Sequence, residues 1–202
     1  METPNLRGQV RFLPLVQMKN VIILDLDGVL ITTPSWRRDE LESDGYSKFN
    51  SIAVDNFNEL TDDLNFELWL ISDRRRTKKN EELNQIFKNR NIKKQIDGIV
   101  PIYGYISRKE EFEKFIAENN FDNFILIDDD SSLEGLSDKD SWIKTKPLIG
   151  FCEENLNETK LKTLSWKQKN ILLGFNLQDD FISETIWDAL REDLSFKRRV
   201  TM

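Results

Sequence analysis

The chain has 202 residues, with 29 Lys and Arg against 36 Asp and Glu, a formal net charge of −7, and no histidine. The missing imidazole excludes His bases, His metal ligands and Ser-His-Asp or Cys-His machinery, and the single cysteine, Cys152, excludes an internal disulfide or a Cys-rich zinc site. Net acidity argues against non-specific nucleic-acid binding, so any catalysis rests on carboxylates, hydroxyls, lysine, arginine or a bound metal.

Residues 1–17 read as an N-terminal extension. Pro4, Arg7 and Gly8 lie there without an apolar stretch leading to a cleavage site. The longest apolar run, Val21–Leu24, is far short of the roughly 20 residues that span a bilayer. A cytoplasmic protein with no membrane contact is expected.

From there short apolar runs alternate with helical-period segments. Val21–Leu24, Leu68–Ile71, Ile99–Ile102, Phe124–Ile127 and Trp142–Ile143, each bounded by polar residues, read as buried strands of a parallel sheet. Ala53, Phe57, Leu60 and Leu64 line one helix face, and Leu83, Ile86 and Phe87 do so more briefly. Phe112, Phe115 and Ile116 form a third stripe behind Ser107-Arg108-Lys109-Glu110, a capping box in which Ser and Glu each satisfy an end amide. The alternation predicts an open α/β sheet wound by right-handed crossovers over residues 18–150. Beyond Gly150 no strand-like run follows. Leu161, Leu164 and Trp166–Leu173 before Gly174, then Ile182, Ile186, Leu190 and Leu194, predict two helices. Residues 151–202 thus read as a helical extension packed on the sheet domain, too short to be stable alone.

Ligands of open α/β sheets bind beyond the carboxyl ends of the strands. Here the first strand runs into Asp25-Leu26-Asp27-Gly28-Val29, the second into Ser72-Asp73-Arg74 and the fourth into Asp128-Asp129-Asp130. The third precedes a helix whose first turn carries Arg108 and Lys109. Carboxylates converging on one crevice repel by about 4 kcal/mol per pair at about 4 Å and an effective dielectric near ~20. A hard divalent cation resolves this, and Mg²⁺ suits a few carboxylates plus a substrate phosphate. With the Ser72 hydroxyl and a cation from 108 or 109, the crevice has the parts that phosphoryl transfer requires. An aspartate can attack phosphorus, metal and cation neutralise the equatorial oxygens, and a second carboxylate two residues on can move the proton.

These residues, in this order and strand placement, resemble the four motifs of the haloacid dehalogenase (HAD) superfamily over roughly residues 18–150. The resemblance implies a three-layer, Rossmann-like sheet domain. It makes Asp25 the nucleophile and a Mg²⁺ ligand, and Asp27 the general acid/base with its backbone carbonyl on the metal. Ser72 and Gly28 would bind the phosphoryl group together with Arg108 or Lys109, and Asp129, with Asp128 beside it, would ligate Mg²⁺. An acid at Asp27 favours a phosphatase over a dehalogenase. The Arg-led helix and the Asp-Asp-Asp run also resemble small capless HAD domains associated with RNA-repair proteins. About 40 residues separate the first two motifs, enough for a flap and one helix but no full cap domain. The expected site is open to large phosphorylated substrates or roofed by the C-terminal helices or a second subunit.

Other residues carry two readings. Arg74–Lys79 is a solvated face or, lying directly after Ser72, a grip on a polyanion such as nucleic acid. Trp36, in the flap, and Arg74 are candidate substrate contacts. Cys152 reads as a small buried hydrophobe. The expected activity is a Mg²⁺-dependent phosphomonoesterase working through an aspartyl-phosphate at Asp25. The alternatives are a HAD-fold regulatory or interaction module and a polynucleotide-end phosphatase.

Overall fold

The strand β1 (Asn20–Leu24) is buried at every position. That explains why its sequence is a continuous apolar run rather than an alternating one. In the computed structural model, which describes residues 18–174, β1 is the central strand of a five-stranded sheet. It pairs in parallel with β2 (Glu67–Leu70) and β4 (Asn123–Asp128), and β3 (Gly98–Ile99) and β5 (Trp142–Lys144) lie outside them in the order β3-β2-β1-β4-β5.

Successive side chains of β1 enter opposite cores. Ile22 and Leu24 join α1 (Ser51–Asp63) and α2 (Asn80–Asn89) through Phe57, Leu60, Leu83 and Phe87. Val21 and Ile23 join α3 (Arg108–Glu118) through Phe112 and Phe115. The result is three layers, helix–sheet–helix, as the alternating pattern predicts.

The local signals explain the element ends. Asn50 caps α1 by accepting from the Ile52 and Ala53 amides at 3.0 and 3.2 Å. The Ser107–Glu110 capping box forms at the start of α3, with Ser107 N–H donating to Glu110 at 2.8 Å and Glu110 N–H to Ser107 Oγ at 3.3 Å. The third strand is shorter than the run Ile99–Ile102. Val100 still donates to Leu70 O at 2.9 Å, but Pro101 has no amide to continue the ladder and Ile102 is exposed.

The last of the described helices, α4 (Glu153–Gly174), begins eight residues before the first apolar position of its sequence pattern, Leu161. Its start is fixed by Asn155, whose side chain accepts from Cys152 N–H at 3.2 Å and donates to Lys144 O at 3.1 Å. Cys152 is half-buried, with Sγ donating to Asn155 Oδ1 at 3.2 Å, so it is a polar contact at a helix start and not a buried apolar filler. Phe151, Leu156 and Trp166 are buried in the same core as α1. Residues 1–17 and the apolar repeat Ile182–Leu194 lie outside the described residues. Among those described, no helix is long and apolar enough to cross a membrane.

Trp166→Ala should cost about 3–5 kcal/mol of stability in urea unfolding. Leu161→Ala, on the same helix but 66% exposed, should change it by less than about 0.5 kcal/mol.

Candidate active site

Asp25 directly follows the central strand, and its N–H donates to Ile127 O at 3.0 Å, prolonging the β1–β4 pairing. The strand order reverses at β1, with β2 and β3 on one side and β4 and β5 on the other. The crevice beyond β1 and β4 is therefore the place where such a sheet takes a ligand. Asp25 opens into a tight loop in which Val29, Leu30 and Ile31 all donate to Leu26 O and Gly28 N–H donates to Ile31 O at 2.8 Å. Gly28 has φ +71°, and a Cβ there would stand 2.3 Å from the Asp129 carboxylate. The glycine contributes by lacking a side chain, since its amide is already engaged within the loop.

Asp25, Asp128 and Asp129 bring carboxylate oxygens within 4.8 Å of one another. Asp25 and Asp128 are 4% and 1% exposed. Burial and the neighbouring Asp128 push the Asp25 carboxyl well above its ordinary range, against the pull of Arg108 and the Ser72 hydroxyl. Burial pushes Asp128 up to about 7, again against Arg108. Asp130 stays out of the cluster and caps the 3₁₀ turn Ser131–Gly135 by accepting from Ser132 N–H at 2.7 Å.

Of the two cations in the first turn of α3, Arg108 reaches the crevice. Its Nη2 lies 3.5 Å from Asp25 Oδ1, and its Nη1 donates to Ile71 O and to Glu111 Oε2 at 2.9 Å. Lys109 is placed elsewhere, with Nζ 3.9 Å from Glu113 and close beside Gly135. Arg108 is held from behind. Glu111 bridges it to Arg75, a guanidinium with no exposed side-chain surface that also donates to Ile71 O, to Ser72 O at 2.9 Å and to Val100 O at 2.9 Å. Ser72 itself is fully buried beside Asp25, its hydroxyl accepting from Arg74 N–H at 3.5 Å.

The basic run after Ser72 is not a uniformly solvated face. Arg74 and Arg75 turn inward, Arg76 pairs with Asp73 at 3.0 Å, and Lys78 pairs with Glu82 at 3.4 Å. Arg74 grips Asp27, with Nε 2.9 Å from Oδ2 and Nη2 2.7 Å from Oδ1. Asp27 thereby faces the flap while Asp25 faces Arg108. A cleft of about 700 Å³ opens beside Asp27, Gly28 and Asp129, and Trp36 and Leu148, both exposed, line its outer part.

Residues 21–156 match the family described as the HAD domain in Swiss Army Knife RNA repair proteins. The chain belongs to this family. No curated protein matches it. The matched span contains every crevice residue described above, and membership makes this a HAD-superfamily domain.

The donor set of this HAD domain fits a hard divalent cation. The cluster is all oxygen, and the ion pairs of Asp25, Asp128 and Glu111 among the described residues are shared between two guanidinium groups, Arg108 and Arg75. Arg108 Nε and Asp128 Oδ2 lie 3.2 Å apart but out of line, so both are buried without a hydrogen bond. That unused carboxylate oxygen suits a metal. Glu111, Asp39 and Ser47 (the last two on Arg74) are the parts that sequence reasoning does not single out, and Arg75, read there as part of a solvated or polyanion-gripping run, is instead buried and used internally. The one available signal is the i,i+3 spacing of Arg108 and Glu111.

Glu111→Ala should cost about 3–5 kcal/mol in urea unfolding, because it strips two buried guanidinium groups of their counter-ion. The Asp128 carboxyl binds more protons folded than unfolded between its ordinary value of 3.8 and about 7, so metal-free stability falls as pH rises through that window. In chelator at pH ~8, Asp128→Asn should raise Tm by several degrees and should lose the Tm increase that Mg²⁺ gives the wild type. A lower Tm for the variant in chelator would contradict this account.

Proposed function

We propose that the protein is a Mg²⁺-dependent phosphomonoester hydrolase acting through an aspartyl-phosphate at Asp25. The observation that carries this reading is the division of labour between two carboxylates two residues apart. Asp25 is buried beside Arg108 and two further carboxylates, while Asp27 is turned to the cleft side by Arg74. An Asp25 oxygen attacks phosphorus and the ester P–O bond breaks, with Asp27 giving its proton to the leaving alkoxide. Asp27 then takes a proton from water, whose oxygen attacks the acyl-phosphate, releasing phosphate and free Asp25. Arg108, fixed by Glu111 and Ile71 O, orients the nucleophile and balances phosphoryl charge. Asp25, Asp128 and Asp129 would hold Mg²⁺, which would supply further charge neutralisation at the phosphoryl oxygens.

The family's place in RNA repair proteins favours, as a second reading, a polynucleotide 3′- or 5′-phosphate as the ester. Arg37 and Arg38, next to the exposed Trp36, are cations within reach of such a strand, whereas Arg74 and Arg75 are consumed internally.

The test is phosphate release from an aryl phosphate, sugar phosphates, nucleotides and an oligonucleotide 3′-phosphate, with Mg²⁺ or chelator. Release should require Mg²⁺ and fall by at least about 10³-fold in Asp25→Asn. Wild-type rates from that variant would sink the nucleophile assignment. No release from any ester by folded, Mg²⁺-bound protein would point to a regulatory or interaction module.

A further inference from the structure

Arg74 does more than touch Asp27. It stands in the 3₁₀ turn Asp73–Arg76 after β2, and its guanidinium is shared among three segments of the chain. Nε donates to both oxygens of Asp27, at 3.1 and 2.9 Å, and Nη2 donates to Asp27 Oδ1 and Asp39 Oδ2, each at 2.7 Å. Nη1 donates to Ser47 Oγ at 2.6 Å, and Ser47 Oγ donates in turn to Asp39. Its side chain is 23% exposed, so these bonds are only partly screened by solvent.

The same stretch of flap is pinned at its far side. Arg90, at the end of α2, holds Asp44 with bonds of 2.7 and 2.9 Å and the carbonyls of Tyr46 and Ser47 at 2.8 and 2.7 Å. The Tyr46 ring lies 5.3 Å from the guanidinium of each arginine. The flap segment carrying Asp39, Tyr46 and Ser47 is thus fixed to the body of the domain, and Arg74 is the group through which that fixed segment meets Asp27.

We propose that Arg74 is a positioning residue that couples the flap to the acid/base carboxylate, aiming Asp27 at the leaving group through a fork whose other arms are set by Asp39 and Ser47. This rests on the phosphatase reading and goes beyond it by making proton delivery depend on flap residues that touch neither phosphorus nor metal. Arginine is required because one planar fork serves both carboxylates and the hydroxyl at once, whereas the three donors of a lysine ammonium radiate from one nitrogen and do not span them.

The test compares two esters in Mg²⁺: an aryl phosphate, whose leaving group departs without a proton, and the best alkyl phosphate of the panel, whose leaving group needs one. Compared by kcat/KM, which reports the phosphorylation step and not the shared hydrolysis of the acyl-phosphate, Arg74→Ala should lose about 10²-fold on the alkyl ester and less than about 10-fold on the aryl ester. Arg74→Lys should not restore the alkyl rate. Asp39→Asn, which keeps Arg74 and removes one arm of its support, should lower the alkyl rate several-fold with the aryl rate little changed, and it carries the test if Arg74→Ala does not fold. Equal losses on the two esters, or full rescue by lysine, would overturn the coupling while leaving the phosphatase reading intact. A wild-type protein that hydrolyses neither ester would overturn both.

Discussion

Like-charge crowding at the end of the central strand pair is the constraint on which the rest of the structure depends. Parallel pairing of β1 with β4 puts Asp25 and Asp128 side by side in a buried place, where carboxylates lose solvation and repel. The molecule answers with a guanidinium from α3, and it holds that guanidinium with a second salt bridge, Glu111 to Arg75, behind the first. The residual negative charge suits a divalent cation. Burial of this kind is poor economy for stability alone, so its presence at the carboxyl edge of an open sheet is an argument for chemistry.

Two neighbouring arginines divide the site into halves. Arg75 serves the Asp25 side, bracing the Ile71–Ser72 carbonyls and Glu111, and Arg74 serves the Asp27 side, bracing Asp27 and the flap. A composition that contains no histidine thus still separates two carboxylates into different environments, one crowded and buried, the other gripped and half in solvent.

Much of the fold was legible because buried parallel strands and amphipathic helices leave strong patterns. The run Val21–Leu24, the α1 stripe through Phe57 and Leu60 and the Ser107–Glu110 box all express local rules. Arg108 and Lys109 were inseparable in sequence because both occupy the first turn of α3, about 100° apart around the axis, and only the position of the crevice distinguishes them. Arg74 and Arg75 carried no inward signal, since a basic run ordinarily faces water. Asp39 and Ser47 come from a loop with no periodicity, and their role exists only once the chain brings them to a residue 27 or more positions away.

The 3₁₀ turn Asp73–Arg76 has three residues per turn, so each side chain points about 120° from the next, and two adjacent arginines serve opposite halves of the site. A deletion of one residue there would swing both guanidinium groups off their partners together. The Glu42–Gly45 turn of the flap, closed by its own hydrogen bond, is tied to the end of α2 through Asp44 and Arg90. Both segments therefore behave as stretches of fixed length: the four residues after Ser72 because two arginines must reach opposite halves of the site, and the flap turn because Asp44 must reach Arg90.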